Sequence, residues 1–154
     1  MLRFGKSYIH EIKQLSFPAP SKLDAPKMRI PGSPNLPKVL LVEDNLINQK
    51  VATLMLSQVG FNVDIACDGE QAVEMALKNQ YPIIFMDCQL PVKDGYQATR
   101  EIRERLGNQI PIIAMTANAM QGDKQKCLDA GMSDYISKPV EMEKLRIAVQ
   151  KALQ

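Results

Sequence analysis

The sequence predicts an α/β fold, a doubly wound parallel sheet of five strands with five helices on its two faces. Three observations carry this. From Lys38 onward, short apolar runs alternate with segments of helical periodicity, five times in succession. The central run, Ile83-Ile-Phe-Met86, is too short for a typical helix and apolar throughout, as expected of a strand buried on both faces. The spacing leaves no room for an eight-fold barrel. With right-handed crossovers, two helices on one face and three on the other would cover such a sheet.

Each element has its own justification. Val39-Leu-Leu-Val42 is an apolar strand that ends at Glu43-Asp44. Asp44 or Asn45 caps a helix that carries Ile47, Val51, Leu54, Met55 and Gln58 at helical spacing and stops near Gly60. Residues 62–66 alternate as a strand. Residues 69–79 read as a helix with Ala72, Val73, Ala76 and Leu77 inward. The central strand covers residues 82–87. Pro91 forbids helix through its neighbourhood, so the next helix opens at Asp94-Gly95 and runs to Leu106, with Ala98 and Ile102 inward. Residues 110–115 form the fourth strand, and a helix from Ala119 to Ala130 ends at Gly131. Residues 134–137 form the fifth strand. The last helix spans residues 141–152 with Leu145, Ala148, Val149 and Ala152 inward.

Residues 1–37 are of another kind and are expected to form a separate extension ahead of a domain at 38–154. Six of the ten prolines fall there, so residues 16–37 read as an extended linker, preceded by a short helix over residues 7–15. His10, the only histidine, lies in His10-Glu-Ile-Lys13, which faintly resembles the phosphoacceptor box of histidine kinases. No second dimerisation helix and no Gly-rich nucleotide-binding segment follows it, so a solvated side chain is the better reading.

Charge divides along the same boundary. Of 19 basic and 17 acidic residues, the first 37 positions hold six and two, leaving the rest slightly acidic. A nucleic-acid binder would show a basic face instead. No apolar run is long enough to span a bilayer, and no signal-peptide core is evident. Three cysteines, Cys67, Cys88 and Cys127, far apart and outside any Cys-x-x-Cys pair, read as reduced core thiols of a cytoplasmic protein.

In a doubly wound sheet the strands end on one rim. The first delivers Glu43 and Asp44, the third Asp87, the fourth Thr116 and the fifth Lys138. Taken singly, each has an ordinary reading as a cap, a turn residue or a solvated loop. Together they are demanding. Three crowded carboxylates raise each other's pKa unless a cation intervenes. Mg²⁺ suits such a site, since it takes oxygen ligands, uses one or two carboxylates and accepts a phosphate oxygen. Lys138 adds a fixed positive charge, and Thr116 a hydrogen bond. An incoming phosphoryl group needs these features, with Asp87 as nucleophile.

The wider strings carry a resemblance. Val42-Glu-Asp-Asn45, Met86-Asp-Cys-Gln-Leu-Pro91, Asp94-Gly95, Ala114-Met-Thr-Ala117, Ala130-Gly131 and Tyr135-Ile-Ser-Lys-Pro139 resemble the receiver domain of two-component response regulators. The resemblance implies a flavodoxin-like sheet in the order 2-1-3-4-5. It also implies that Asp87 is the phosphoacceptor and that Asp44 ligates Mg²⁺ directly, with Glu43 acting largely through water. The backbone carbonyl of Gln89 would be a further metal ligand. Thr116 and Lys138 would hold phosphoryl oxygens, and Tyr135 would be the aromatic switch that turns inward as Thr116 is drawn to phosphate. Gln89 and Asn118 would flank the pocket and tune water access.

Met86–Arg100 and Ile112–Met120 look like receivers attached to hybrid sensor histidine kinases. No DNA-binding segment is expected after Gln154. The expectation is therefore the C-terminal receiver of a hybrid kinase, or a stand-alone receiver with an N-terminal extension. It would be a signalling domain that catalyses its own phosphorylation and dephosphorylation, not an enzyme in its own right. The donor would be a histidine kinase or a histidine-phosphotransfer protein, docked on the first helix near Ile47, Asn48 and Val51. A dimer formed on phosphorylation is a further expectation. So is a cytoplasmic location, with or without tethering to the inner membrane through a parent kinase. An aspartate-nucleophile phosphatase would carry a second acid where Gln89 stands. A flavin-binding fold would want a Gly-rich loop where Glu43-Asp44-Asn45 stands.

Overall fold

The computed structural model describes residues 36–117 and 121–154. Residues 16–35 of the expected linker, the helix over 7–15, His10, Asn118 and Ala119 lie outside the described residues.

Ten elements alternate: β1 (Lys38–Val42), α1 (Leu46–Val59), β2 (Asn62–Ala66), α2 (Gly69–Lys78), β3 (Ile84–Asp87), α3 (Gly95–Leu106), β4 (Ile112–Thr116), α4 (Gln121–Ala130), β5 (Asp134–Ser137) and α5 (Met142–Ala152). The strands pair in parallel in the order β2-β1-β3-β4-β5. The expected strands at 82–87 and 110–115 are narrower or shifted in the structure. Pro111 has no N–H to give the ladder, so β4 begins after it, while its carbonyl still accepts from Ile84 N at 2.9 Å. Glu141 stands at the N-cap position of α5 rather than inside the helix.

The core is two-sided because successive strand residues face opposite ways. Leu40, Val42, Ile84, Met86, Ile112 and Ala114 pack against α2, α3 and α4. Val39, Leu41, Phe85, Ile113, Met115 and Ile136 pack against α1 and α5. The three-and-two division of helices matches the expectation.

Local chemistry fixes the helix starts. Asn45, Asp68 and Asp94 each accept a hydrogen bond from the backbone N–H three residues on, at 2.8–3.0 Å. Gly60 ends α1 at φ 120°, a left-handed C-terminal cap.

Ile47, Asn48 and Val51, expected near an exposed docking entrance, are exposed, and other residues make the inward face of α1. Gln49, Leu56, Ser57 and Val59 are buried, whereas Ile47 and Leu54 are 71% and 60% exposed and Val51 is also exposed. Leu77 on α2 is likewise partly exposed. The helical stripe of larger apolar residues on α1 faces solvent. The helix turns its polar Gln49 inward because a partner awaits that amide.

Candidate functional site

The C-terminal ends of β1, β3 and β5 meet at one rim. Glu43 follows β1 and stays in line with the sheet through its N–H, which donates to Ala66 O at 3.0 Å. Its side chain is 2% exposed, while that of Asp44 next to it is exposed. Asp87 is the last residue of β3 and is 4% exposed. Gly95 lets α3 begin directly over it, for a Cβ there would lie 2.1 Å from the Asp87 carbonyl oxygen. The loop between β3 and α3 is pinned by the Lys93 ammonium, which pairs with Glu70 at 3.2 Å and with Glu101. Within that loop Val92 has φ 66°, a left-handed conformation that is unusual for a β-branched residue.

Glu43, Asp44 and Asp87 each offer one carboxylate oxygen, and the three lie within 4.8 Å of one another. They open into a cavity of about 480 Å³ that Gln89, Pro91, Ala117 and Lys138 also line. The Lys138 ammonium bridges two of the acids, donating to Asp87 Oδ2 at 2.8 Å and Glu43 Oε1 at 3.1 Å. The other Asp87 oxygen, Oδ1, accepts from Gln89 N at 3.1 Å.

Burial pushes the Asp87 carboxyl up; the Lys138 hydrogen bond and the Gln89 N–H oppose it, and Glu43 adds to the rise. For Lys138, burial works downward, but the bonds and charges of Asp87 and Glu43 outweigh it and hold the ammonium above its ordinary value. The ammonium thus lies between two carboxylates, where a bound cation would also neutralise them. Carboxylate and carbonyl oxygens are the donors of a hard divalent cation, and the residues present fit Mg²⁺.

Thr116 is buried at the end of β4, and its carbonyl accepts from Lys138 N at 2.8 Å. Its neighbour Ala117, which sequence reasoning did not single out, lines the cavity. Tyr135 on β5 is half-buried against the α2–α4 side of the core, with the Lys124 ammonium 5.5 Å from its ring centre. The acids and Lys138 therefore come together at one point, with Thr116 joined to Lys138 through the backbone.

Three donors around Glu43 carried no expected role there. Asn45 N and Asn48 Nδ2 both donate to Glu43 Oε2, at 3.2 and 3.3 Å. The buried Gln49 amide donates to the Glu43 carbonyl at 2.7 Å. The spacing Glu43-x-Asn45-x-x-Asn48-Gln49 places all three at the N-cap and first turn of α1. That spacing was the available signal.

The cysteines divide. Cys88 and Cys127 are buried with their sulfurs 3.9 Å apart, but Cys67 is exposed and is not a core thiol. Burial pushes the Cys88 thiol up to about 12 and also raises that of Cys127.

Comparison with known proteins agrees with this geometry. The family model for the response regulator receiver domain matches residues 39–150. Hybrid signal transduction histidine kinase K of Dictyostelium discoideum is 40% identical over 125 residues, covering 76% of this chain and 10% of that relative. The chain thus spans a small fraction of that relative's length. The receiver domain of sensor histidine kinase PA1611 from Pseudomonas aeruginosa PAO1, with a magnesium ion coordinated in its active site cleft, is 50% identical at a TM-score of 0.71. That match covers 76% of this chain and 97% of the other. The receiver domain of Saccharomyces cerevisiae Ssk1, in co-crystals with the histidine phosphotransfer protein Ypd1, is 33% identical at a TM-score of 0.70, covering 75% and 88%. This chain therefore belongs to the response regulator receiver domain family of two-component signalling.

Proposed function

We propose that the chain is a Mg²⁺-dependent phosphoacceptor in a phosphorelay, with Asp87 as the accepting side chain. The observation that carries this reading is the closure of Glu43, Asp44 and Asp87 to within 4.8 Å, with Lys138 bridging two of them. Asp44, Asp87 and the Gln89 carbonyl would hold the ion, with Glu43 acting largely through water. When bound, Mg²⁺ neutralises charge on a phosphoryl group entering the acidic cavity. Asp87 attacks phosphorus as the phosphorus–nitrogen bond of a donor phosphohistidine breaks, and the imidazole nitrogen leaves with the electron pair and takes up a proton. Lys138 and Thr116 then hold phosphoryl oxygens. The added charge of roughly −1.5 to −2 draws Thr116 inward, and Tyr135 follows into the space it vacates.

The donor would be a histidine kinase or a histidine-phosphotransfer protein. It would dock on α1, where Leu46, Ile47, Val51 and Leu54 form an exposed apolar face beside the cavity. The Ssk1–Ypd1 pairing and the hybrid-kinase relatives support that choice. The chain would work in the cytoplasm as the receiver of a hybrid kinase, catalysing its own phosphorylation and dephosphorylation.

The test is intact-mass measurement after incubation with a small acyl phosphate. The unmodified chain gains one phosphoryl group in Mg²⁺ and none with a chelator. Asp87→Ala gains none in either; undiminished labelling of that variant would reject the assignment.

A further inference from the structure

We propose that Asn48 is a positioning residue that limits Glu43 to one available oxygen, and so tunes the acidic cavity for Mg²⁺ over Ca²⁺. The proposal rests on the reading of that cavity as a cation site and says how its selectivity arises.

The first turn of α1 grips Glu43 from two directions. At the backbone, the Gln49 amide, buried at 7% exposure, holds the Glu43 carbonyl at 2.7 Å. At the carboxylate, Oε2 is engaged twice, by Asn45 N–H and by Asn48 Nδ2. Oε1 is engaged only from the cavity side, by Lys138, which also reaches Asp87. Oε1 is therefore the oxygen turned toward the other acids.

This asymmetry has a chemical consequence. Ca²⁺ takes six to eight oxygens and readily binds both oxygens of one carboxylate, whereas Mg²⁺ keeps waters and an octahedral shell. A cation that chelated Glu43 through both oxygens would have to displace two hydrogen bonds from Oε2. A cation served by Oε1, directly or through a water, would displace neither. Of the two donors on Oε2, Asn45 N–H is backbone and is fixed by the helix start. Asn48 is the side chain on which the restriction depends. Because Asn48 lies at the exposed surface of α1, it can be replaced without disturbing the core.

The test is calorimetric titration of the full chain with Mg²⁺ and with Ca²⁺, separately and without phosphodonor. Asn48→Leu removes the donor at similar size. It should weaken Mg²⁺ binding, by up to about tenfold, because Glu43 loses a hydrogen bond that orients it toward the ion or the ion's bound water. Ca²⁺ binding should weaken less, so the preference between the ions narrows. Asn48→Gln keeps an amide donor and should retain the preference. An unchanged Mg²⁺-to-Ca²⁺ ratio in Asn48→Leu would overturn this inference alone. Failure of the unmodified chain to bind Mg²⁺ would instead overturn the cation-site reading beneath it.

Discussion

At the scale of single residues, the three thiols occupy three chemical situations. Cys67 is exposed, Cys88 is buried beside the acidic cavity, and Cys127 is buried against it from α4. Alkylation of the native chain near neutral pH should modify Cys67 and spare the other two until the chain unfolds; peptide mapping would show this. The Cys88 proton also links stability to alkalinity. The unfolded chain releases it near 9.0 and the folded chain near 12, so its contribution is full below about pH 9 and is lost as the pH rises toward 12. Denaturant titrations between these limits should show a falling stability whose slope flattens in Cys88→Ala. An equal slope in that variant would place the burial cost elsewhere.

At the scale of elements, the buried and exposed faces of α1 allow folding and the proposed docking to be tested apart. Leu56 is fully buried in the core cluster on the α1–α5 side of the sheet, so Leu56→Ala should cost about 2–5 kcal/mol in denaturant unfolding. Ile47 contacts the core little, so Ile47→Glu should change stability by no more than about 0.5 kcal/mol. Phosphoryl transfer from a histidine-phosphotransfer protein to Ile47→Glu should nevertheless slow, while labelling by a small acyl phosphate stays intact. Equal slowing in both reactions would place the defect in the cavity.

This helix also marks where sequence reasoning stopped. The alternation of elements was legible because strands buried on two faces must be apolar throughout, as Leu40, Leu41, Ile84 and Phe85 are. The meeting of Asp87 with Lys138 was legible because parallel strands end on one rim. The burial of Gln49 on α1 was not. Ile47, Val51 and Leu54 outweigh Gln49 in hydrophobicity, yet Gln49 goes inward, since the carbonyl of Glu43 satisfies its amide. That partner comes into place only through the chain reversal after β1. The contact of Cys88 with Cys127 was hidden for a similar reason, as it joins β3 to a helix one crossover later.

At the scale of the whole molecule, stability and cation binding are linked. A ligand that binds only the folded state stabilises it by roughly 2.7 kcal/mol at a hundredfold excess over its dissociation constant. Mg²⁺ should therefore raise the melting temperature in a concentration-dependent way. A chelator should reverse the rise, and Asp87→Ala should diminish it. A melting temperature indifferent to Mg²⁺ would count against a cation site in the folded chain.

The Lys138 bridge spans almost the entire fold, joining residues 95 and 51 positions apart in the chain. Its ammonium arrives with the last strand, long after both carboxylates have been synthesised. A ribosome-bound fragment ending before that strand would carry the acids without their counter-charge. The order of the chain thus delays the bridging of Glu43 and Asp87 until the segment after β5 is in place.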